Sequence, residues 1–545
     1  MKRILFIAGL ILSFSSYAQT SYYIDNQSGN DSNNGTSIYT PWKSLERVNQ
    51  VKFQGGDSIL FRRGGSWVGN LKLQGSGTEG KPIVMSAYGN GPLPELDARG
   101  GVASGERASC TIRLFNQEYW EFKYLKIKNF KAFEKPTPVK SEGKNVWSNA
   151  VKMGILVEAR DAGTLRHIHF TGLEICDVNG DMQTKDNGGI FMEISWDEDL
   201  EQRKPTNFND IVLQDCYIHD VDRTGFSNSS VWSNRSLKSK WGETLANGKT
   251  HNWLPSNNIV IRNNRFERTG ANALIVRVAK SPVVEYNFFN RCALKGSGNA
   301  SFPFNCDNAL FQYNEACYTV YNSEADSWDG KKDADAGGFD SDWNCKNSVF
   351  QYNYSHHNGF GGILICCDGG SKTSFNDGTI VRYNVFEDNA EHVIRSSGTS
   401  SNTKIYNNLI YNSAEHDSVK LIFHKSWGGY SDSILYQNNI FVSRGEGCYF
   451  DLGKSTRNFF HANLFYGSIQ NKPADPEAID SNPRFIAEDG SISANSWARF
   501  LLRQGSPAID SGLPIEQNGD LDFTGKALDS KPDRGPFEFR GNTTK

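Results

Sequence analysis

A short phrase recurs along the chain with changing flanks: NNRF closing at Phe266, EYNFF from Glu285 to Phe289, FQYNEAC from Phe311, FQYNYS from Phe350, RYNVF from Arg382, IYNNLI from Ile405, QNNIF from Gln437 and HANLF from His461. Its asparagine falls at Asn264, Asn287, Asn314, Asn353, Asn384, Asn408, Asn439 and Asn463, in steps of 23, 27, 39, 31, 24, 31 and 24 residues. The step never drops below 23. Such a floor marks a unit of fixed circumference into which loops are inserted, because a rung that lost residues would no longer stack on its neighbours. Helical repeats of roughly 33 to 47 residues do not fit it.

Each phrase surrounds the asparagine with β-branched or aromatic residues, as in Val283, Val284, Tyr286, Asn287, Phe288 and Phe289, then turns polar or glycine-rich. That pattern gives two short strands and a bend per repeat. The expected fold class is all-β, a right-handed parallel β-helix built as a single-stranded solenoid with N-terminal and C-terminal caps. Buried asparagine is costly unless its amide is paired, and a stack of asparagines inside one turn supplies the pairs. They are read as scaffold, not as metal or sugar ligands.

Residues 1–18 run from Met1, Lys2 and Arg3 through the apolar stretch Ile4 to Phe14 to Ser16, Tyr17 and Ala18. A charged start, a stretch too short for a bilayer and a small-x-small site read as a signal peptide cut after Ala18. No cysteine follows the cut to take a lipid anchor, and no later apolar run approaches about 18 residues, so a soluble, secreted or periplasmic monomer without a membrane span is expected. Residues 19–119, with a helix-like stretch from Trp42 to Val51 and then strands, read as the N-terminal cap that an open solenoid end requires. Rungs are assigned to 120–466 and a C-terminal capping segment to 467–545. In that segment Asp520 and Asp522 lack the spacing of a calcium loop. A formal net charge of -3, from 58 basic and 61 acidic residues, offers nucleic acid no basic field.

The chain has ten cysteines. Cys306 in NCDNALFQYN and Cys345 in NCKNSVFQYN occupy equivalent places, about one rung or ~4.8 Å apart. That spacing allows a disulfide or two packed thiols. A chain of this size builds its own core, which favours buried thiols here and at Cys176, Cys216, Cys292, Cys317, Cys366 and Cys367.

The opening YYIDNQSGNDSNNGTS with PWKSLERVNQ, the YN rungs, and the closing SPAIDSG and PDRGPFEF resemble bacterial right-handed parallel β-helix proteins of the pectate-lyase-like superfamily. That group includes polysaccharide lyases and glycoside hydrolases. The resemblance spans most of the chain and implies a carbohydrate-active enzyme on a polysaccharide or oligosaccharide. It is specific for architecture and leaves the reaction to the residues.

Insertions on a solenoid gather on one face, often the binding face. The 49-residue step from Asp215 to Asn264 carries Trp232, Trp241 and Trp253, and the 39-residue step carries SEADSWDGKKDADA with Trp328. Both read as groove walls, the tryptophans either as sugar platforms or as loop anchors. Directly after the second wall comes Gly337, Gly338, Phe339, Asp340, Ser341, Asp342, Trp343. Alternation puts Asp340 and Asp342 on one face, with Cα atoms ~6.6 to 6.8 Å apart. Aligning GGIFMEIS, NALIVRVA, GGFDSDWN, GGILICCD and EHVIRSSG stacks Glu193, Arg277, Asp342 and Cys366 in one column, with Asp368, His392 and Arg395 close by. A slip of one residue would pair Asp342 with Val276 instead and reverse the face.

Two mechanisms use such a set. Hydrolysis of a glycoside needs a carboxylic acid and a carboxylate, drawn from Asp340, Asp342, Glu193 and Asp368, and no cofactor. Elimination on a uronate polymer needs its carboxylate neutralised and a base. Asp340 and Asp342 would then hold Ca2+, with Arg277, Arg395, Lys420, His392 or His424 as base or clamp. A glycoside hydrolase is the leading reading, a polysaccharide lyase the alternative, and a non-catalytic glycan-binding β-helix the third.

Overall fold

The computed structural model describes residues 19–132, 151–182, 184–321, 335–487 and 496–541. Residues 1–18, read above as a signal peptide, and Trp328 lie outside them. The strands form a parallel β-helix, with one parallel sheet of 15 strands and another of 25 that combines two series, so a full rung contributes three short strands. Residues of like character stand in register from rung to rung. Ile261, Val284, Phe311, Phe350, Val381, Ile405 and Tyr436 form one such column, each within 1% of fully buried. Phe311 and Phe350 stack with centroids 5.1 Å apart.

The asparagine ladder runs unbroken from Asn264 to Asn463. Each side-chain amide donates to the next asparagine's Oδ1 at 2.9–3.0 Å. That same oxygen also accepts the preceding asparagine's backbone N–H. The second amide hydrogen goes to a main-chain carbonyl, such as Phe311 O from Asn353. Every polar atom inside the turn is satisfied, which is the condition for burying it. The ladder ends where Asp475 Oδ2 accepts both the N–H and the amide of Asn463 at 2.8 Å.

A second turn opens the strands of the groove face, and its glycines are set by close approach. A Cβ on Gly189 would lie 2.4 Å from Gly225 O, and one on Gly338 would lie 2.4 Å from Ser355 Oγ.

The N-terminal segment is built into the solenoid rather than laid across its end. Ser21–Ile24 pairs in parallel with Ser58–Arg62, which pairs with Ile83–Tyr88 and so joins the same sheet as the later rungs. The helix is shorter than its sequence pattern, Leu45–Asn49, capped by Ser44. The C-terminal residues run back along the tyrosines that precede the ladder asparagines. Tyr352 Oη donates to Leu521 O, Arg382 Nη1 to Gln517 O and Asn407 Nδ2 to Asp533 O. This strap buries Tyr352, Tyr383 and Tyr406 to 3% exposure or less, whereas Tyr286, beyond its reach, is 54% exposed. All ten cysteines are buried free thiols, Cys306 and Cys345 among them. Among the described residues no helix is long and apolar enough to cross a membrane.

Candidate active site

The groove face is the series Gly188–Ser195, Thr224–Ser230, Leu274–Arg277, Ser301–Phe304, Gly337–Ser341, Gly361–Cys367, His392–Gly398 and Lys420–Lys425, each paired with the next. Phe339 and Ser341 point inward, at 1% and 0% exposure, so Asp340 and Asp342 stand on the outer side. One oxygen of each carboxyl and Sγ of Cys366 lie within 4.8 Å of one another. The Cys366 thiol donates to Asp342 Oδ1 at 3.2 Å and stands 3.8 Å from Asp340 Oδ1. Asn299 Nδ2 donates to Asp340 Oδ2 at 3.2 Å, and the Trp343 N–H donates to Asp342 Oδ1 at 2.8 Å.

These surroundings split the pair. Burial, then the charges of Asp342 and Asp335, pushes Asp340 well above the usual carboxylate range, so it holds the proton. Burial raises Asp342 too, but Lys185, the Trp343 N–H, the Cys366 thiol and Arg277 all favour its ionised form. Cys366 stays a thiol, because burial and both carboxylates disfavour its anion. Lys185 is drawn down to about 8 by burial and by Arg223 and Arg277, with Asp342 and Asp335 opposing. Arg277 brings a buried Nη2 without a hydrogen-bond partner, within the fields of Asp186 and Asp342. An aromatic wall flanks Asp342: Trp343 and Trp427 have centroids 5.1 Å apart, and Trp427 is 41% exposed. Two carboxyls, a thiol and adjacent cations suit calcium poorly, since that ion takes six to eight oxygens.

The remaining candidates lie elsewhere on the frame. Arg277 is level with Phe304, and Glu193 is level with Ser229. Two rungs, Thr224–Ser230 and Ser301–Phe304, therefore intervene in the column, and Glu193 stands four rungs from Asp342, roughly 19 Å. Glu193 has its own environment there, 5% exposed and pushed up to about 7 by burial and by Glu158 and Asp186. Asp368 follows the Gly361–Cys367 strand and accepts the Gly370 N–H at 2.8 Å in a local turn. His392 and Arg395 line a small cavity with Asn299, Gly337 and Phe360, beside Asp340. Lys420 is level with His392, its Nζ 4.1 Å from the centroid of Phe423. His424 does not stand on the outer face. It is level with Ser396, 1% exposed, and its Nε2 meets Tyr436 Oη at 2.7 Å inside the solenoid. In the strand Lys420–Lys425 the inward parity falls on His424, and burial holds its ring neutral, down to about 4.

Lys185 and Asp335 were not found by sequence reasoning, although each stands two or three residues ahead of a glycine that opens a groove strand. Of the tryptophans in the longer insertion, Trp232 is 7% exposed between Trp196 and Trp241, and Trp253 donates to Asn305 O at 3.3 Å. They anchor their loop, and only Trp241 is exposed, at 54%.

No protein-family model matches the chain. A curated lacto-N-biosidase from Bifidobacterium longum subsp. longum is 25% identical over 601 aligned positions, which cover 95% of this chain and 36% of that protein. The chain thus spans about a third of that relative's length. The crystal structure of a GH136 lacto-N-biosidase from Eubacterium ramulus superposes with a TM-score of 0.58 at 24% identity, covering 79% of this chain and 68% of that one. The fold is that of parallel β-helix carbohydrate-active enzymes. The structure of XylC in complex with xylose covers 96% of this chain and 98% of its own, with a TM-score of 0.52 at 11% identity.

Proposed function

We propose that the protein is a glycoside hydrolase that binds a glycan along the groove face and cleaves it at Asp342. The observation that carries this reading is the split pair, a carboxyl pushed well above the usual range beside one whose anion Lys185 and Arg277 favour, with an oxygen of each within 4.8 Å. Environments that drive two carboxyls apart assign acid and base roles in glycosidases. Asp342 is the attacking carboxylate, with Lys185 and Arg277 holding its charge. Inverting enzymes need carboxyls about 6.5 to 9.5 Å apart to seat a water, and this pair is closer, so a covalent intermediate with retained configuration is expected. Asp340 is only 3% exposed and has both oxygens engaged. It holds the proton of the pair and is the acid that delivers it to the leaving oxygen. Trp343 and Trp427 form the sugar platform.

The likeness to lacto-N-biosidases makes a lacto-N-bioside the first substrate to try. Hydrolysis would yield new reducing ends without ultraviolet absorbance, while elimination would yield an absorbing unsaturated product. Loss of every activity in Asp342→Asn supports the site, and full activity in that variant would sink it. The run Met1 to Ala18 supports export from the cytoplasm.

A further inference from the structure

In each rung the strand ahead of the groove strand belongs to a second series: Glu174–Val178, Tyr217–Val221, Arg265–Glu267, Phe288–Asn290, Glu315–Cys317, Tyr354–His356 and Val385–Glu387, each paired with the next. Ile175, Ile218, Phe266, Phe289 and Ala316 are its inward column, fully buried, so the residues on either side of them stand on the outer face. There one constellation occurs twice. Glu174 and Cys176 are level with Tyr217 and His219, and Glu267 follows level with His219. Four rungs on, about 19 Å along the axis, Glu315 and Cys317 are level with Tyr354 and His356, and Glu387 follows level with His356.

The two copies agree in detail. Tyr217 stacks on His219 with centroids 4.0 Å apart, and Tyr354 stacks on His356 at 4.1 Å. Each tyrosine hydroxyl donates to the glutamate of the next rung, Glu267 or Glu387. In each copy a glutamate oxygen, the cysteine Sγ and a ring nitrogen lie within 4.8 Å of one another. The first copy is set for a cation. His219 Nδ1 is 2.6 Å from Asp220 Oδ2, which Arg268 holds at 2.7 Å, so the ring proton stays on Nδ1 and Nε2 keeps its lone pair. That Nε2 is buried and makes no hydrogen bond. It stands 3.6 Å from Glu174 Oε1, and Cys176 Sγ stands 3.9 Å from the same oxygen. A tetrahedral zinc ion spaces nitrogen, oxygen and sulfur ligands roughly 3.3 to 3.6 Å apart, so small side-chain shifts close all three on one ion. Lys126 Nζ, 2.7 Å from Glu174 Oε1, is partly exposed and can turn to solvent when an ion takes its place. In the second copy His356 Nε2 meets Glu315 Oε1 at 3.2 Å. Thiolate, imidazole and carboxylate together suit zinc rather than calcium or magnesium.

We propose that Glu174, Cys176 and His219 bind a zinc ion that ties two rungs together, and that Glu315, Cys317 and His356 bind a second. Coordination releases each thiol proton to solvent. The groove chemistry uses none of these residues, so the sites stand or fall apart from the hydrolase reading. Titration of the reduced full chain with cobalt(II), which occupies zinc sites and absorbs strongly when bound to thiolate, reads them without turnover. Two saturable equivalents that zinc displaces are expected, one lost in Cys176→Ser and the other in Cys317→Ser, with the metal-free thermal midpoint unchanged. Asp220→Asn leaves every ligand in place and should weaken the first site about tenfold or more, which tests it even if the serine variant does not fold. Absence of thiolate absorption in excess cobalt, or absorption undiminished in Cys176→Ser and affinity unchanged in Asp220→Asn, overturns the first site. A single equivalent that survives Cys317→Ser upholds the first site and overturns the second.

Discussion

At Asp342 burial and charge pull in opposite directions, and the balance sets the chemistry. Burial favours the neutral acid, while Lys185, Arg277, a backbone N–H and a thiol favour the anion. Asp342→Asn removes the oxygen proposed to attack, with little change in volume, and should lower kcat about 10^3-fold or more, read by single-turnover kinetics. Lys185 is depressed from 10.5 to about 8, so its charge is present below that pH and lost above it. Activity should fall as pH passes about 8, and Lys185→Arg, which does not titrate there, should carry the plateau to higher pH. A pH profile of kcat/KM that does not move in this variant would remove Lys185 from the site.

The ladder is an element whose parts depend on their neighbours. Asn353→Ala strips the acceptor from both the N–H and the amide of Asn314, and the donor from Phe311 O. Leaving such buried groups unmatched should cost roughly 2 to 4 kcal/mol, measured as a lower midpoint in denaturant. This element was legible in the sequence because one residue type recurs at a bounded spacing and the turn has room for little else. The groove column was legible only in part. Rungs such as TGFSNSS and SFPF carry neither the glycine pair nor the apolar run that marks the other groove strands, so Glu193, Arg277 and Asp342 read as neighbours although a rung separates each from the next. Lys185 and Asp335 arrive from loops, where no periodicity exists to announce a side chain. His424 shows the opposite limit, since one step of strand parity turns a candidate ligand into core.

Over the whole molecule, stability is shared between the stack and the strap laid along it. Ending the chain after Asp480 would uncover Tyr352, Tyr383 and Tyr406 together with Val385, Leu409 and Ile440 of the same apolar cluster, by removing Phe485, Phe500 and Phe537 that cover it. The truncated protein should bind an apolar dye and unfold at lower temperature, and an unchanged midpoint would show the strap to be dispensable. Stability should also depend on pH through Glu193, whose pKa is raised from 4.5 to about 7, chiefly by burial. The folded chain holds that proton more tightly than the unfolded one, so the contribution is complete below about 4.5 and lost as pH climbs through about 7. Its size is about 3 kcal/mol at most. Glu193→Gln should flatten the stability curve across that window.

Asp475 gives the stack a direction and a stop. Seven amides hand a hydrogen onward from rung to rung, and the carboxylate at the end takes two and has none to pass. A second copy docking head to tail would meet a carboxylate already filled with donors where continuation demands a hydrogen. One missing hydrogen thus makes the end of the ladder a poor template for growth, a brake on the fibre assembly that exposed solenoid strands invite.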